Sequence, residues 1–171
     1  AATCEATRIV GNRAAGRPLN LFFSGTSCGG GAYGVTLVNC LVAGNVGDSR
    51  LSNGGGLSDC LAVNCTVVGN TADFGGGVFG GVATNCVVWG NTSRMDGPAS
   101  DFNGTAVLAY SCAWPLAGGD GNIAGDPLFS DGGDYSLSAG SPCVDRGDNA
   151  AASSWDLDGR DRIVNGTIDM G

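Results

Sequence analysis

The chain has 171 residues, 32 of them Gly, with 43% hydrophobic and only 7% aromatic residues. Sixteen acidic residues against eight basic ones, all Arg, leave a net charge of −8, and there is no His. With no Lys and a single Glu (Glu5) the composition argues against a helical protein. Without a basic stripe it argues against a nucleic-acid partner, and without His or a CxxC pair it argues against a zinc site. No apolar run approaches the length of a membrane span.

Residues 1–13 read as a partial coil, because Thr7-Arg8-Ile9-Val10-Gly11-Asn12 aligns with the stretch from Cys40 to Asn45 further on. An excursion over 14–27 follows, with Pro18 and the apolar Leu19, Leu21, Phe22 and Phe23. It is expected to cover an open end that would otherwise invite strand pairing. Then come three copies of a 17-residue unit, GGGAYGVTLVNCLVAGN at 29–45, GGGLSDCLAVNCTVVGN at 54–70 and GGGVFGGVATNCVVWGN at 75–91. The copies start 25 and then 21 residues apart, so the unit is constant and the connector varies. A period in the low twenties is too short for paired helices and suits one coil of a parallel β-solenoid.

In such a coil, like positions stack about 4.8 Å apart. Asn39, Asn64 and Asn85 then form one column, with Cys40, Cys65 and Cys86 beside it and Val42, Val67 and Val88 next. Arg8 cannot occupy a narrow apolar interior, so alternation turns Thr7 and Ile9 inward and Arg8 and Val10 outward. By the same parity Cys40 and Val42 face in, and Leu41 and Ala43 face out. The Asn column is placed at a corner, where Asn tolerates left-handed backbone and its amide can bond the Asn above and below.

A looser coil is expected over 101–114, with Tyr110-Ser111-Cys112 matched to Thr84-Asn85-Cys86, so that Cys112 continues the inward stack. Gly118-Gly119-Asp120-Gly121 is a turn cluster. From Asn122 the texture changes to three short strand-like stretches, at 122–129, 134–137 and 141–147, and an acidic ending. Nine Asp against three Arg give a charge of −6 from Asp126 onward. Residues 1–121 are read as coils and 122–171 as an irregular cap in the same domain, with about five to six coils in all.

The run Gly125-Asp126-Pro127-Leu128-Phe129, then Asp134-Tyr135-Ser136-Leu137, then Gly140-Ser141-Pro142-Cys143-Val144-Asp145-Arg146-Gly147, then Asp156-Leu157-Asp158-Gly159-Arg160, resembles the C-terminal part of bacterial right-handed parallel β-helix proteins of the choice-of-anchor Q type. The likeness covers about 105–171. The GGG…NC…GN copies look like the rungs that precede that part, and also resemble repeats of polymorphic outer-membrane surface proteins. The resemblance implies an all-β, single-stranded right-handed parallel β-helix that is secreted or displayed on a surface, usually without assigned chemistry. Members commonly continue past the equivalent of Asp169-Met170-Gly171 into an anchor.

Of eight cysteines, Cys40, Cys65, Cys86 and Cys112 are read as the buried stack, either as inert small hydrophobes or partly oxidised. Cys4, Cys28, Cys60 and Cys143 lie off it and are the disulfide candidates, with pairing not readable from sequence. The cysteine count in an acidic, Arg-only chain favours an extracellular or cell-surface setting, and a start at Ala1-Ala2 without Met fits a processed protein. Asp156, Asp158 and Asp161 form a DxDG-like run that reads either as a calcium loop or as an acidic turn paired with neighbouring Arg; no other cofactor is implied. The outward face after the Cys column carries Leu41, Val68, Val87 and Trp89. It is either a contact surface or the seat of the C-terminal segment through Trp155, Leu157 and Ile163. Tyr33 and Phe79 share one offset in the unit and are candidates for an aromatic glycan contact.

Catalysis has little support. A lyase needs a base beside acidic calcium ligands, a glycosidase needs two facing carboxylates, and within the full copies Asp59 has no carboxylate stacked above or below it. The leading expectation is a non-catalytic solenoid that assembles head-to-tail with copies of itself into a fibre or surface layer, its first half-coil continuing another subunit's ladder. The alternatives are an adhesion module for a glycan or host surface, and a polysaccharide lyase.

Overall fold

The computed structural model describes residues 2–15, 28–97, 100–103, 105–151 and 153–171. The excursion expected to cover the open end lies, at 16–27, outside the described residues. Three strands open the chain: β1 (Thr3–Glu5), β2 (Arg8–Val10) and β3 (Arg13–Ala14). The first complete turn holds β4 (Ala32–Tyr33), β5 (Thr36–Val38), β6 (Leu41–Ala43) and β7 (Val46–Gly47). The second holds β8 (Leu57–Ser58), β9 (Leu61–Val63), β10 (Thr66–Val68) and β11 (Thr71–Ala72). The third holds β12 (Val78–Phe79), β13 (Val82–Thr84), β14 (Val87–Trp89) and β15 (Thr92–Ser93). A partial turn, β16 (Val107–Ala109) and β17 (Cys112–Ala113), closes the stack.

Like strands of successive turns pair in parallel. They form sheet A (β1-β5-β9-β13-β16), sheet B (β2-β6-β10-β14-β17), sheet C (β3-β7-β11-β15) and sheet D (β4-β8-β12). The result is a β-solenoid of about three turns with a partial turn at each end, not the five to six coils expected. The difference arises at the end. From Asn122 onward the strand-like stretches make single bridges, Phe129 to Leu137 and Trp155 to Asp161, and one short 3-10 turn at Asn149–Ala151, instead of further coils.

Each turn is four-cornered. Left-handed backbone recurs every five residues: Gly29, Gly34, Asn39 and Gly44, then Gly54, Asp59, Asn64 and Gly69, then Gly75, Gly80, Asn85 and Gly90. Gly, Asn and Asp are the residues that enter this conformation at least cost, so their spacing dictates where the chain bends. Between corners, the first and third residues face inward. The pairing of Arg8, Ile9 and Val10 with Leu41, Val42 and Ala43 places the opening strands in the register that the sequence alignment requires.

The interior stacks Cys4, Leu37, Ala62, Ala83 and Leu108 along sheet A and Ile9, Val42, Val67, Val88 and Ala113 along sheet B. Most of these are buried in one cluster, with Cys4 and Ile9 half-buried against it. The second glycine of each triplet also faces in. A Cβ on Gly30 would overlap the Gly55 carbonyl oxygen one turn on, so the turn packs backbone on backbone there.

At Tyr110 the corner is left-handed although the residue is neither Gly nor Asn. This corrects the expected register by one residue. Tyr110 takes the Asn position, Ser111 falls beside Cys86, and Cys112 pairs with Val87 on the outward-facing set. The inward thiol column is Cys40, Cys65 and Cys86 alone, capped by the Ser111 hydroxyl.

Candidate functional site

Two polar columns run the length of the solenoid. The interior one consists of the last Asn of each unit. Asn45, Asn70 and Asn91 are at most 4% exposed. The backbone N–H and the amide of Asn45 both donate to Oδ1 of Asn70 at 2.9 Å, and those of Asn70 do the same to Asn91. The second amide hydrogen of each goes back to the preceding turn, from Asn70 to the Val42 carbonyl and from Asn91 to that of Val67. Every donor and acceptor of Asn70 is therefore used, which is what a buried amide requires.

The column ends on Asp101, where no further Asn is available. One carboxylate oxygen accepts the Asn91 N–H at 2.7 Å and its amide at 3.1 Å, and the other accepts the Trp114 N–H at 3.0 Å. An amide in this place would turn a donor toward Trp114. Burial pushes the Asp101 carboxyl up to about 6, against the N–H groups of Asn91 and Trp114, which hold it down.

The corner column, Asn39, Asn64 and Asn85, is expected from the sequence to bond along itself. In the structure one such link is present, from Asn85 to Asn64 at 3.0 Å. The rest of their capacity is turned to the C-terminal segment. Asn85 binds Asp148 through its carbonyl and its N–H, at 3.0 and 2.7 Å. Asn64 donates to the Ala151 carbonyl, and Asn39 donates to the Trp155 carbonyl at 2.6 Å and exchanges bonds with the Ser153 hydroxyl. Beyond these, Arg8 of the opening turn meets Asp158 at 3.0 Å. The segment is thus a strap running back from the last turn to the first.

The strap settles the alternative over the outward face of sheet B. Leu41, Val68 and Val87 are 5%, 2% and 0% exposed, covered by Phe129, Leu157, Cys143 and Met170, with Trp89 half-buried among them. They are not available as a contact surface. Of the residues expected to cover them, Leu157 does so, whereas Trp155 and Ile163 stay exposed. Tyr33 is exposed and Phe79 half-buried; both sit in register with Ser58, one turn to either side. The bare apolar stripe is elsewhere, on the outer face of sheet A, at Leu61, Val82 and Val107. Alternation from the inward Leu37, Ala62 and Ala83 was the signal that could have located it.

Between the strap and sheet B lies a cleft of about 290 Å³ lined by Arg8, Thr66, Ser136, Asp158 and Arg162 among others. Arg162 donates from Nη2 to the Gly171 carbonyl at 2.6 Å, while its buried Nε has no hydrogen-bond partner among the described residues. Burial lowers the pKa of this guanidinium, and Asp156 and Asp169 oppose the shift. The expected calcium residues do not converge. Asp156 accepts the N–H groups of Asp158 and Arg160 within its own turn, Asp158 pairs with Arg8 and Arg160, and Asp161 bridges Trp155 in an exposed position. No group of three metal-ligating side chains comes together among the described residues. The acidic turn paired with Arg is the arrangement present.

The thiol column is linked along the axis. The N–H of Cys40 donates to the sulfur of Cys65 at 3.4 Å, and that of Cys65 to Cys86. Burial raises the Cys65 thiol above its usual range, which makes it a poor nucleophile, whereas at Cys86 burial is outweighed by the hydrogen bonds from Cys65, which lower the thiol. The four disulfide candidates are not brought together. Cys4 lies in sheet A of the opening turn, Cys28 bridges Asn53, Cys60 faces the interior of the second turn, and Cys143 sits in the strap beside Cys112.

Comparison with protein-family models, with curated proteins and with solved structures returned no match.

Proposed function

We propose that the protein is a non-catalytic structural β-solenoid of an extracellular or cell-surface setting that associates with copies of itself end-on. The observation that carries this reading is the inequality of its two ends. At the last turn the corner and β17 are engaged: Tyr110 N–H donates to the Asp120 carbonyl, and Ile123 bridges Cys112. At the first turn, β1 and β2 are the terminal strands of their sheets and pair on one side only among the described residues. Two parallel edges side by side are a template for another chain's strands. In a head-to-tail fibre, this edge would continue the ladders of a neighbour's last turn, displacing the 118–123 segment. Eight cysteines and an acidic, Lys-free surface support the extracellular setting.

The test is molecular mass in solution across concentration. Wild-type protein should associate as concentration rises. Val10→Pro, which removes an N–H that strand parity turns away from β6, should shift the equilibrium toward monomer. A strictly monomeric wild type at high concentration overturns the reading.

The cleft supports a second reading, a binding module for a small acidic sugar. The observation that favours it is the unpartnered Nε of Arg162, since a guanidinium binds carboxylate through two parallel N–H groups. Titration with glucuronate and galacturonate decides it: no heat above background in wild type removes the reading, and binding lost in Arg162→Gln supports it.

A further inference from the structure

We infer that Cys112 and Cys143 form a disulfide that fastens the strap to the last turn of the solenoid. The left-handed corner at Tyr110 turns the Cys112 side chain to the outer face of sheet B, away from the interior thiol column. The strap delivers Cys143 to the same spot. Both residues are fully buried, in one cluster with Val87 and Met170, and each thiol is the leading influence on the other's ionisation. The backbone of Cys143 is fixed on both sides. Its N–H donates to the Ser141 hydroxyl at 3.1 Å, and its carbonyl accepts the Met170 N–H at 3.0 Å.

The interior column is a different case, although its thiols also lie near one another. Cys65 and Cys86 each donate to a carbonyl of their own turn, of Val63 and Thr84, at 3.2 Å. Their sulfurs accept N–H groups from the preceding turn, so they are held along the axis by the ladder itself. Cys112 also donates to a carbonyl, that of Gly125 at 3.2 Å, but it and Cys143 sit on two separate pieces of chain, the last turn and the strap, with 30 residues (113–142) between them. Closing a loop of that length constrains the unfolded chain.

The chemistry is thiol–disulfide exchange with a small-molecule disulfide as oxidant. The Cys143 thiolate attacks the oxidant, forming a mixed disulfide and releasing one small thiolate. The Cys112 thiolate then attacks the Cys143 sulfur and releases the second. Two electrons pass to the oxidant, and the two protons from the cysteines go to the released thiolates. Since both sulfurs are shielded in the docked state, exchange occurs while the strap is lifted, and docking then protects the bond. This inference does not depend on self-association.

The test uses the full chain, folded in a mixture of reduced and oxidised glutathione, denatured, alkylated and cleaved at aspartate. Six of the eight cysteines (the eight less this pair) should be alkylated, with one crosslinked pair of peptides carrying Cys112 and Cys143. Alkylation of all eight, or Cys143 joined to another cysteine, overturns the inference. Tryptic cleavage after Arg146 provides a second readout. In the oxidised wild type it should be slower than in the reduced protein by on the order of a hundredfold, a difference that Cys143→Ser abolishes while the solenoid's circular dichroism persists. Equal rates in oxidised and reduced wild type also overturn it.

Discussion

The two asparagine columns use one residue type at one period for opposite ends. Asn45, Asn70 and Asn91 follow a left-handed Gly, face inward, and satisfy one another along the axis. Asn39, Asn64 and Asn85 are themselves the left-handed residue, so their amides emerge at a corner and bind another part of the chain. A shift of one residue relative to the corner thus separates a self-contained internal ladder from a docking rail. The interior column stabilises the turns against unfolding, and the corner column decides whether the strap stays down.

The comparison is broken most severely from the inside. Asn70→Leu leaves the Asn45 N–H and one Asn45 amide hydrogen buried without partners and strips the Val42 carbonyl of its side-chain donor. At about 1–3 kcal/mol for each orphaned group, the loss should be about 2–6 kcal/mol in chemical denaturation, with the strap and turns unfolding together. An effect below about 1 kcal/mol would mean that the column only fills space.

The next effect comes from the column's anionic end. The folded-state pKa of Asp101 lies at about 6, above the roughly 3.9 of an unfolded Asp. The unfolded chain therefore binds fewer protons between these values. The contribution is fully present below about pH 4 and is lost as pH rises through 6, by about 3 kcal/mol at most. Stability measured against pH for wild type, relative to Asp101→Asn, should show this decline, and parallel profiles would refute it.

At the corner, Asn39→Gly keeps the left-handed backbone and deletes the bonds to Ser153 and Trp155. The cost to global stability should be about 1 kcal/mol, while amide exchange in residues 153–158 accelerates well beyond that of β6. Uniform acceleration would mean that strap and solenoid open as one. The smallest effect belongs to Arg8→Ala, because the pair with Asp158 is exposed at 45% and 39%. Such pairs contribute about 0.2–1 kcal/mol, and thermal melting should barely change.

Much of the solenoid was legible in the chain. The units at 29–45, 54–70 and 75–91 reveal the turns, and Arg8 alone fixes which residues face in. What escaped notice was the sub-period of five, although Gly29, Gly34, Asn39 and Gly44 display it. Counting from corner to corner would have placed Tyr110 at a bend and turned Cys112 outward. Matching Cys to Cys put it inside. The strap was legible in part, as an apolar segment able to cover an apolar face. Its path was not, because the corner amides bind mostly backbone groups, which any sequence carries. The role of Asp101 was hidden for a similar reason. It stands at a Gly-like position in the stack, its carbonyl meeting the Gly77 N–H, and reaches the Asn column through its side chain.

The strap also has a metrical consequence. Its anchors at Asp148, Ala151, Trp155 and Asp158 meet Asn85, Asn64, Asn39 and Arg8 in strict succession. Duplicating a unit would lengthen the cylinder by about 4.8 Å and leave the interior amides content, but this tether would fall one anchor short. The tail thereby works as a gauge, tying the permitted number of turns to the spacing of its own carbonyls.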